Sequence, residues 1–222
     1  MLERIKVGIT KRGVSLDDLR QTQVLMRLFG GAKAFLLNQF TGKLYLFCGA
    51  FYRRFDVQRR LPDTGYPRTL GNWPGNFPSG IDAACHLPNE HVCFFSGSQF
   101  VKYDVCADHS LPGYPKRIDD DVSWPGLSFT RIDACFNWRN KKIFFFSGER
   151  YAAFDLARNC QDPGYPRLIK EGWKVLGELM PKGVDSAFTI DNRGALILFC
   201  FSAVADTAYY SLLCKGRRER QI

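Results

Sequence analysis

The sequence predicts an all-β fold, a four-bladed β-propeller with short helices between blades, on three observations. First, Ile81-Asp82-Ala83-Ala84 returns as Ile132-Asp133-Ala134-Cys135 and as Val184-Asp185-Ser186-Ala187, with Asp-to-Asp spacings of 133 − 82 = 51 and 185 − 133 = 52 residues. Second, each copy leads into an aromatic run: Phe94-Phe95-Ser96-Gly97, Phe145-Phe146-Ser147-Gly148 and, more loosely, Leu198-Phe199-Cys200-Phe201. Third, a Gly-Tyr-Pro turn at 65–67, 113–115 and 164–166 and a Trp at 73, 124 and 173 recur in one register. Self-similarity at a period near fifty marks a solenoid, propeller or array. A fourth copy lies upstream without the Asp, where Ala32-Lys33-Ala34-Phe35 precedes Leu46-Phe47-Cys48-Gly49.

Taken in order, residues 1–30 form an N-terminal segment. Ser15-Leu16-Asp17-Asp18 resembles a capping box, and Leu16, Leu19, Val24, Leu25 and Leu28 share roughly one helical face, which predicts a short helix, with an outer strand before it. Residues 31–214 are the propeller. Each blade opens on the small-residue Ile-Asp-Ala-Ala strand, suited to a crowded axis, and continues into a β-branched and aromatic strand such as Val92–Phe95 or Ile143–Phe146. A third, alternating strand follows at Phe51–Asp56, Gln99–Asp104 and Arg150–Asp155. The Gly-Tyr-Pro turn then suits an outermost edge. The fourth copy, through Ala203–Tyr210, is degenerate, and 215–222 is a basic tail.

A hydrophobic content of 45%, with 24% charged residues, describes an ordered globular chain. No apolar run reaches the roughly 18–20 residues of a membrane span, and Met1–Lys6 opens no secretory signal. A net charge of +9 favours an anionic partner: an acidic protein surface, a sulfated glycan or matrix surface. Basic residues gather at Arg53, Arg54, Arg59 and Arg60, the expected partner-binding cluster, and at Lys215, Arg217, Arg218 and Arg220 in the tail. Nucleic acid is not expected, because no recognised binding motif accompanies the charge.

Eight cysteines suit a secreted, disulfide-bearing domain without settling the compartment. Cys85 and Cys93 lie symmetrically about Pro88-Asn89-Glu90 and are the best-placed pair for a disulfide; Phe136 and Phe144, at the same places one repeat later, read the pair instead as an apolar cross-strand contact. His86-Leu87-Pro88-Asn89-Glu90-His91 comes within one residue of an inverted zinc-protease motif, but with the wrong spacing and on a hairpin rather than a helix. No catalytic constellation is present, so the chain is expected not to be an enzyme.

The recurring Asp-Ala, Phe-Phe-Ser-Gly, Tyr/Phe-Asp, Pro-Gly-Tyr-Pro and Trp elements resemble hemopexin-like repeats over about residues 30–214. That resemblance implies a disc whose narrow axial channel holds a calcium or sodium ion on backbone carbonyls, here those of Asp82, Asp133, Asp185 and, by alignment, Ala32. It implies a binding module that docks proteins, matrix or glycans, commonly outside the cell. It also implies a ring-closing disulfide ending at Cys214, which, with no cysteine before Cys48, is absent or rebuilt with Cys48 or Cys200. The alternative it raises is haem binding, with His86, His91 and His109 as the available imidazoles.

Overall fold

A computed structural model describes residues 32–199 apart from 39–40, 57, 60, 75–76, 78–79, 139–140, 175–181 and 190–195. The expected N-terminal helix and strand, Arg60, Cys200, the degenerate segment 203–210, Cys214 and the basic tail lie outside the described residues.

β-branched and aromatic runs form strands because their stiff side chains pack well on a pleated, half-buried surface. The first blade runs β1 (Ala34–Asn38), β2 (Lys43–Cys48), β3 (Phe51–Asp56), β4 (Leu61–Pro62) and β5 (Arg68–Thr69). The second repeats this as β6 (Ala83–His86), β7 (His91–Ser96), β8 (Gln99–Asp104), β9 (His109–Ser110) and β10 (Lys116–Arg117). The third is β11 (Ala134–Trp138), β12 (Lys142–Ser147), β13 (Arg150–Asp155), β14 (Cys160–Gln161) and β15 (Arg167–Leu168). Of the fourth, β16 (Ser186–Thr189) and β17 (Leu196–Phe199) are described. All pairings are antiparallel, and Cys85 stands opposite Cys93 as Phe136 stands opposite Phe144. Both cysteines are free thiols, as are Cys48, Cys106, Cys135 and Cys160.

The outermost strand of each full blade is split. In blade 1, β4 pairs with the far end of β3 and β5 with its near end, with Tyr66-Pro67 between them. The same break recurs at Tyr114-Pro115 and Tyr165-Pro166, and all three peptide bonds are cis. At the far end of the third strand, the repeated Asp closes a turn on itself. The Oδ1 atoms of Asp56, Asp104 and Asp155 each accept two N–H groups, from residues two and three places on.

The inner strands settle the blade number: β1 lies beside β6, β6 beside β11, β11 beside β16, and β16 returns to β1. Three aromatic seams fill the wedges between described blades. Trp73 packs against Tyr45, Tyr52 and Phe47 of blade 1 and against Phe94 and Tyr103 of blade 2. Trp124 does the same with Phe95 and Phe100 on one side and Phe145 and Phe154 on the other. Trp173 lies on Phe136, Phe144, Phe146 and Tyr151. The recurrence of Trp is therefore a wedge device: a sheet has two apolar faces, and each needs a neighbour. A 3₁₀ turn at Leu70–Asn72 and a single helical turn at Ile169–Gly172 anchor Leu70 and Ile169 beneath these rings.

Candidate functional site

At one end of the axis the inner strands begin. Ala34 pairs with Phe47, Ala83 with Phe95, Ala134 with Phe146 and Ser186 with Phe199, so the four residues occupy one ring position. The residues just before them are Lys33, Asp82, Asp133 and Asp185. The N–H groups of Lys33, Asp82 and Asp133 donate to the carbonyls of Phe47, Phe95 and Phe146, which confirms the equivalence. The ring position expected for Ala32 therefore belongs to Lys33. Ala32 instead matches the buried Ile81, Ile132 and Val184. The slip arises because the inner strands of blades 1 and 2 are 83 − 34 = 49 residues apart, and no Asp marked the first copy.

The carboxylates act locally. Oδ2 of Asp82 accepts the Gly97 N–H at 2.8 Å, and Oδ2 of Asp133 accepts that of Gly148 at 2.7 Å, each tying the inner strand to the Ser-Gly turn of its own blade. Their other oxygens hold cations: Lys33 Nζ lies 3.6 Å from Asp82 Oδ1, with Arg131 Nη2 at 3.9 Å from the same atom. Arg131 Nε donates to Asp133 Oδ1 at 3.2 Å. An axial divalent cation of the kind the resemblance implies would sit on the backbone carbonyls of this ring, beside the Lys33 ammonium and the Arg131 guanidinium. Those two positive charges fit a divalent ion poorly.

At the other end side chains tie the inner strands of successive blades together. His86 Nε2 lies 2.7 Å from the Leu37 carbonyl, and Asn137 Nδ2 donates to the His86 carbonyl at 2.9 Å. Leu37, His86 and Asn137 are equivalent positions on successive blades, and the His86 and Asn137 side chains each tie their blade to the one before. The remaining cavity between them, ≈ 10 Å³, has room for about one water at most. Burial holds the His86 imidazole below its ordinary pKa, against the opposing pull of the Leu37 carbonyl. His91 Nε2 lies 3.8 Å from Asp104 Oδ2, and His109 pairs across the sheet with the same Asp104. The three histidines do not converge: His86 faces the axis, whereas His91 and His109 flank the far end of β8. Among the described residues, no group of three His, Cys, Asp or Glu side chains is placed to hold a metal.

Of the expected basic cluster, Arg53, Arg54 and Arg59 are described. Arg53 and Arg54 are neighbours on β3 and project to opposite faces. Arg54 Nε donates to Asp63 Oδ2 at 2.5 Å, and its guanidinium stacks on Tyr66 at 4.8 Å. Arg59 is 82% exposed and lies 3.8 Å from Asp56. What the structure gathers instead is a cation on each Tyr-Pro turn: Arg68 on Tyr66, Lys116 on Tyr114 and Arg167 on Tyr165, at 4.8, 5.3 and 4.8 Å. In blade 3 this becomes a groove of ≈ 500 Å³ lined by Arg150, Gly164, Pro166, Arg167, Leu168, Glu171 and Gly172. Arg167 Nε donates to the Gly164 carbonyl at 3.1 Å, which fixes its guanidinium at the groove wall. The signal was in the sequence, since a basic residue follows every Tyr-Pro.

Comparison with known proteins agrees with this architecture. The Hemopexin family profile matches residues 81–128 and 132–178, the second and third blades. The chain is 42% identical to Stromelysin-2 of Rattus norvegicus over 101 residues, 45% of this chain and 20% of that protein. It is 30% identical to Matrix metalloproteinase-21 of Homo sapiens over 156 residues, 65% of this chain and 27% of that protein. The chain thus spans under a third of the length of these relatives. Among solved structures, the hemopexin fold protein CP4 from cow pea superposes with a TM-score of 0.60 at 19% identity, covering 82% of this chain and 91% of that one. Blade register, Trp wedges and matched repeats together make this chain a member of the hemopexin-like repeat family.

Proposed function

We propose that this chain is a non-catalytic binding module that docks an anionic partner surface, carboxylate- or sulfate-bearing, against the outer rim of the propeller. The carrying observation is the blade 3 groove, where Arg150 and Arg167 face open solvent on a rigid sheet edge and Arg167 is pre-oriented by Gly164 and Tyr165. Pre-orientation lowers the ordering cost of binding, and a planar guanidinium pairs well with carboxylate or sulfate oxygens. The net charge of +9 adds long-range attraction. Likeness to the matrix metalloproteinases supports an extracellular setting with a protein or glycan of the matrix as partner.

Retention on a heparin column against a salt gradient tests the reading. Arg150→Glu with Arg167→Glu is expected to elute at markedly lower salt, with the melt unchanged. Arg53→Glu with Arg59→Glu, from the cluster expected on the sequence, is expected to elute near the parent. If the second pair alone abolishes retention, the blade 3 groove is the wrong surface. If no polyanion or acidic protein is retained at low salt, the anionic reading fails.

A further inference from the structure

We propose that a chain of side-chain charges, Lys33–Asp82–Arg131–Asp133, closes the channel mouth of this propeller in place of an axial divalent cation. Lys33 occupies the ring position that the other three blades fill with Asp82, Asp133 and Asp185. Its ammonium reaches across the first seam to Asp82 at 3.6 Å. Arg131 stands two residues before its ring aspartate, where blades 2 and 4 have Gly80 and Gly183. From there it reaches back across the second seam to Asp82 at 3.9 Å and forward to Asp133 at 3.2 Å. Two seams are thereby bridged by charge at the mouth.

The arrangement disfavours calcium by charge. An axial ion of the kind the resemblance implies would sit on neutral backbone carbonyls, so the side-chain charges around the mouth decide how well a divalent ion is held. Here the carboxylates of Asp82 and Asp133 are already matched, Oδ2 by the N–H of Gly97 or Gly148 and Oδ1 by a nearby cation. An incoming divalent ion faces repulsion from two resident positive charges. Lys33 and Arg131 side chains are 58% and 56% exposed, so the bridges are screened by salt. Ionic strength, rather than calcium, is then the variable the ring responds to. This inference is independent of the rim surface proposed above.

The test uses the full chain stripped with EGTA. Thermal melts and calorimetric titration with calcium chloride, at constant ionic strength, are expected to show no calcium response for the parent. Lys33→Asp combined with Arg131→Gly supplies a fourth carboxylate and removes both cations. It is expected to gain a melt rise of about 5–10 °C at calcium a hundredfold above its Kd, reversed by EGTA. A variant that folds only when calcium is present supports the proposal equally. A parent melt raised by calcium overturns it, as does a folded double variant indifferent to calcium. Should that variant fail to fold in both conditions, Lys33→Met decides. Its melt is expected to lose part of the parent's dependence on sodium chloride, and an unchanged dependence overturns the proposal.

Discussion

His86 carries a charge state set by its burial. The cavity against it is lined by Phe35, Leu36, Leu37, Ala84, Cys85, Cys135, Phe136 and Asn137, with no carboxylate to stabilise an imidazolium. Its folded pKa is therefore depressed, first by burial, with the Leu37 carbonyl opposing. The unfolded chain then binds a proton more readily than the folded one. Stability from this site is intact above the ordinary histidine value of 6.5 and is lost as pH falls below it toward the depressed folded value. Urea midpoints at pH 7.5 and 5.5 should show this slope in the parent and a shallower one in His86→Gln. The thiols divide by the same physics. Burial raises the pKa of Cys93 and Cys135, so neither should react while the protein is folded. Cys106 is exposed, yet its hydrogen bond to Glu90 Oε2 at 2.5 Å raises its pKa. Glu90→Gln should therefore speed alkylation of Cys106 by iodoacetamide several-fold at pH 7.5. An unchanged rate would show that the carboxylate does not govern this thiol.

Each blade depends on small devices where its inner strand meets its own turn and the neighbouring blade. The Asp82–Gly97 and Asp133–Gly148 bonds tie the start of the first strand to the turn between the second and third. Asp82→Ala should cost about 1–2 kcal/mol, the usual range for a charged hydrogen bond discounted for partial exposure, while Asp82→Asn should recover part of it. Gly183 marks a closer approach between blades. Its φ is +118°, and a Cβ there would lie 2.4 Å from the Gly148 carbonyl oxygen of the preceding blade. Gly183→Ala should cost at least about 2 kcal/mol in urea unfolding, through both strain and overlap. Gly71→Ala is the control: nothing lies within 4 Å of its added methyl, and the change should stay within about 0.5 kcal/mol.

On the scale of the whole molecule, the propeller is a ring of sheets whose apolar faces, among the described residues, cover one another. Aromatic pairs across the seams, such as Phe47 with Phe94 and Phe95 with Phe145, at 5.4 and 5.7 Å, make adjacent blades interdependent. Loss of one wedge should therefore be felt across a seam. Trp124→Ala removes the ring between blades 2 and 3 and should cost about 3–5 kcal/mol, with both blades losing amide protection together in hydrogen exchange. Protection lost in blade 2 alone would show that the blades are separate units. The same rigidity would hold the proposed rim surface fixed, and at the heparin column the whole charge of +9 should act alongside the groove. Retention should accordingly fall steeply with salt.

The strands, their register and the blade number were legible in the sequence. A local pattern of aromatic runs, turn residues and symmetric hairpins decides which residues pair, and a repeat period decides how often. Cys85 opposite Cys93, and the third strands at 51–56, 99–104 and 150–155, follow from such patterns. On the same logic Arg53 and Arg54, adjacent on β3, face opposite sides of their sheet. Other features depended on which residues are neighbours around the axis, and linear spacing does not report that. Lys33 rather than Ala32 in the ring, Arg131 reaching back to Asp82, His86 sealed against Leu37 and the two arginines of the blade 3 groove all arise there. A repeat specifies each blade, but the contacts between blades join positions about fifty residues apart, and only closure of the ring brings them together.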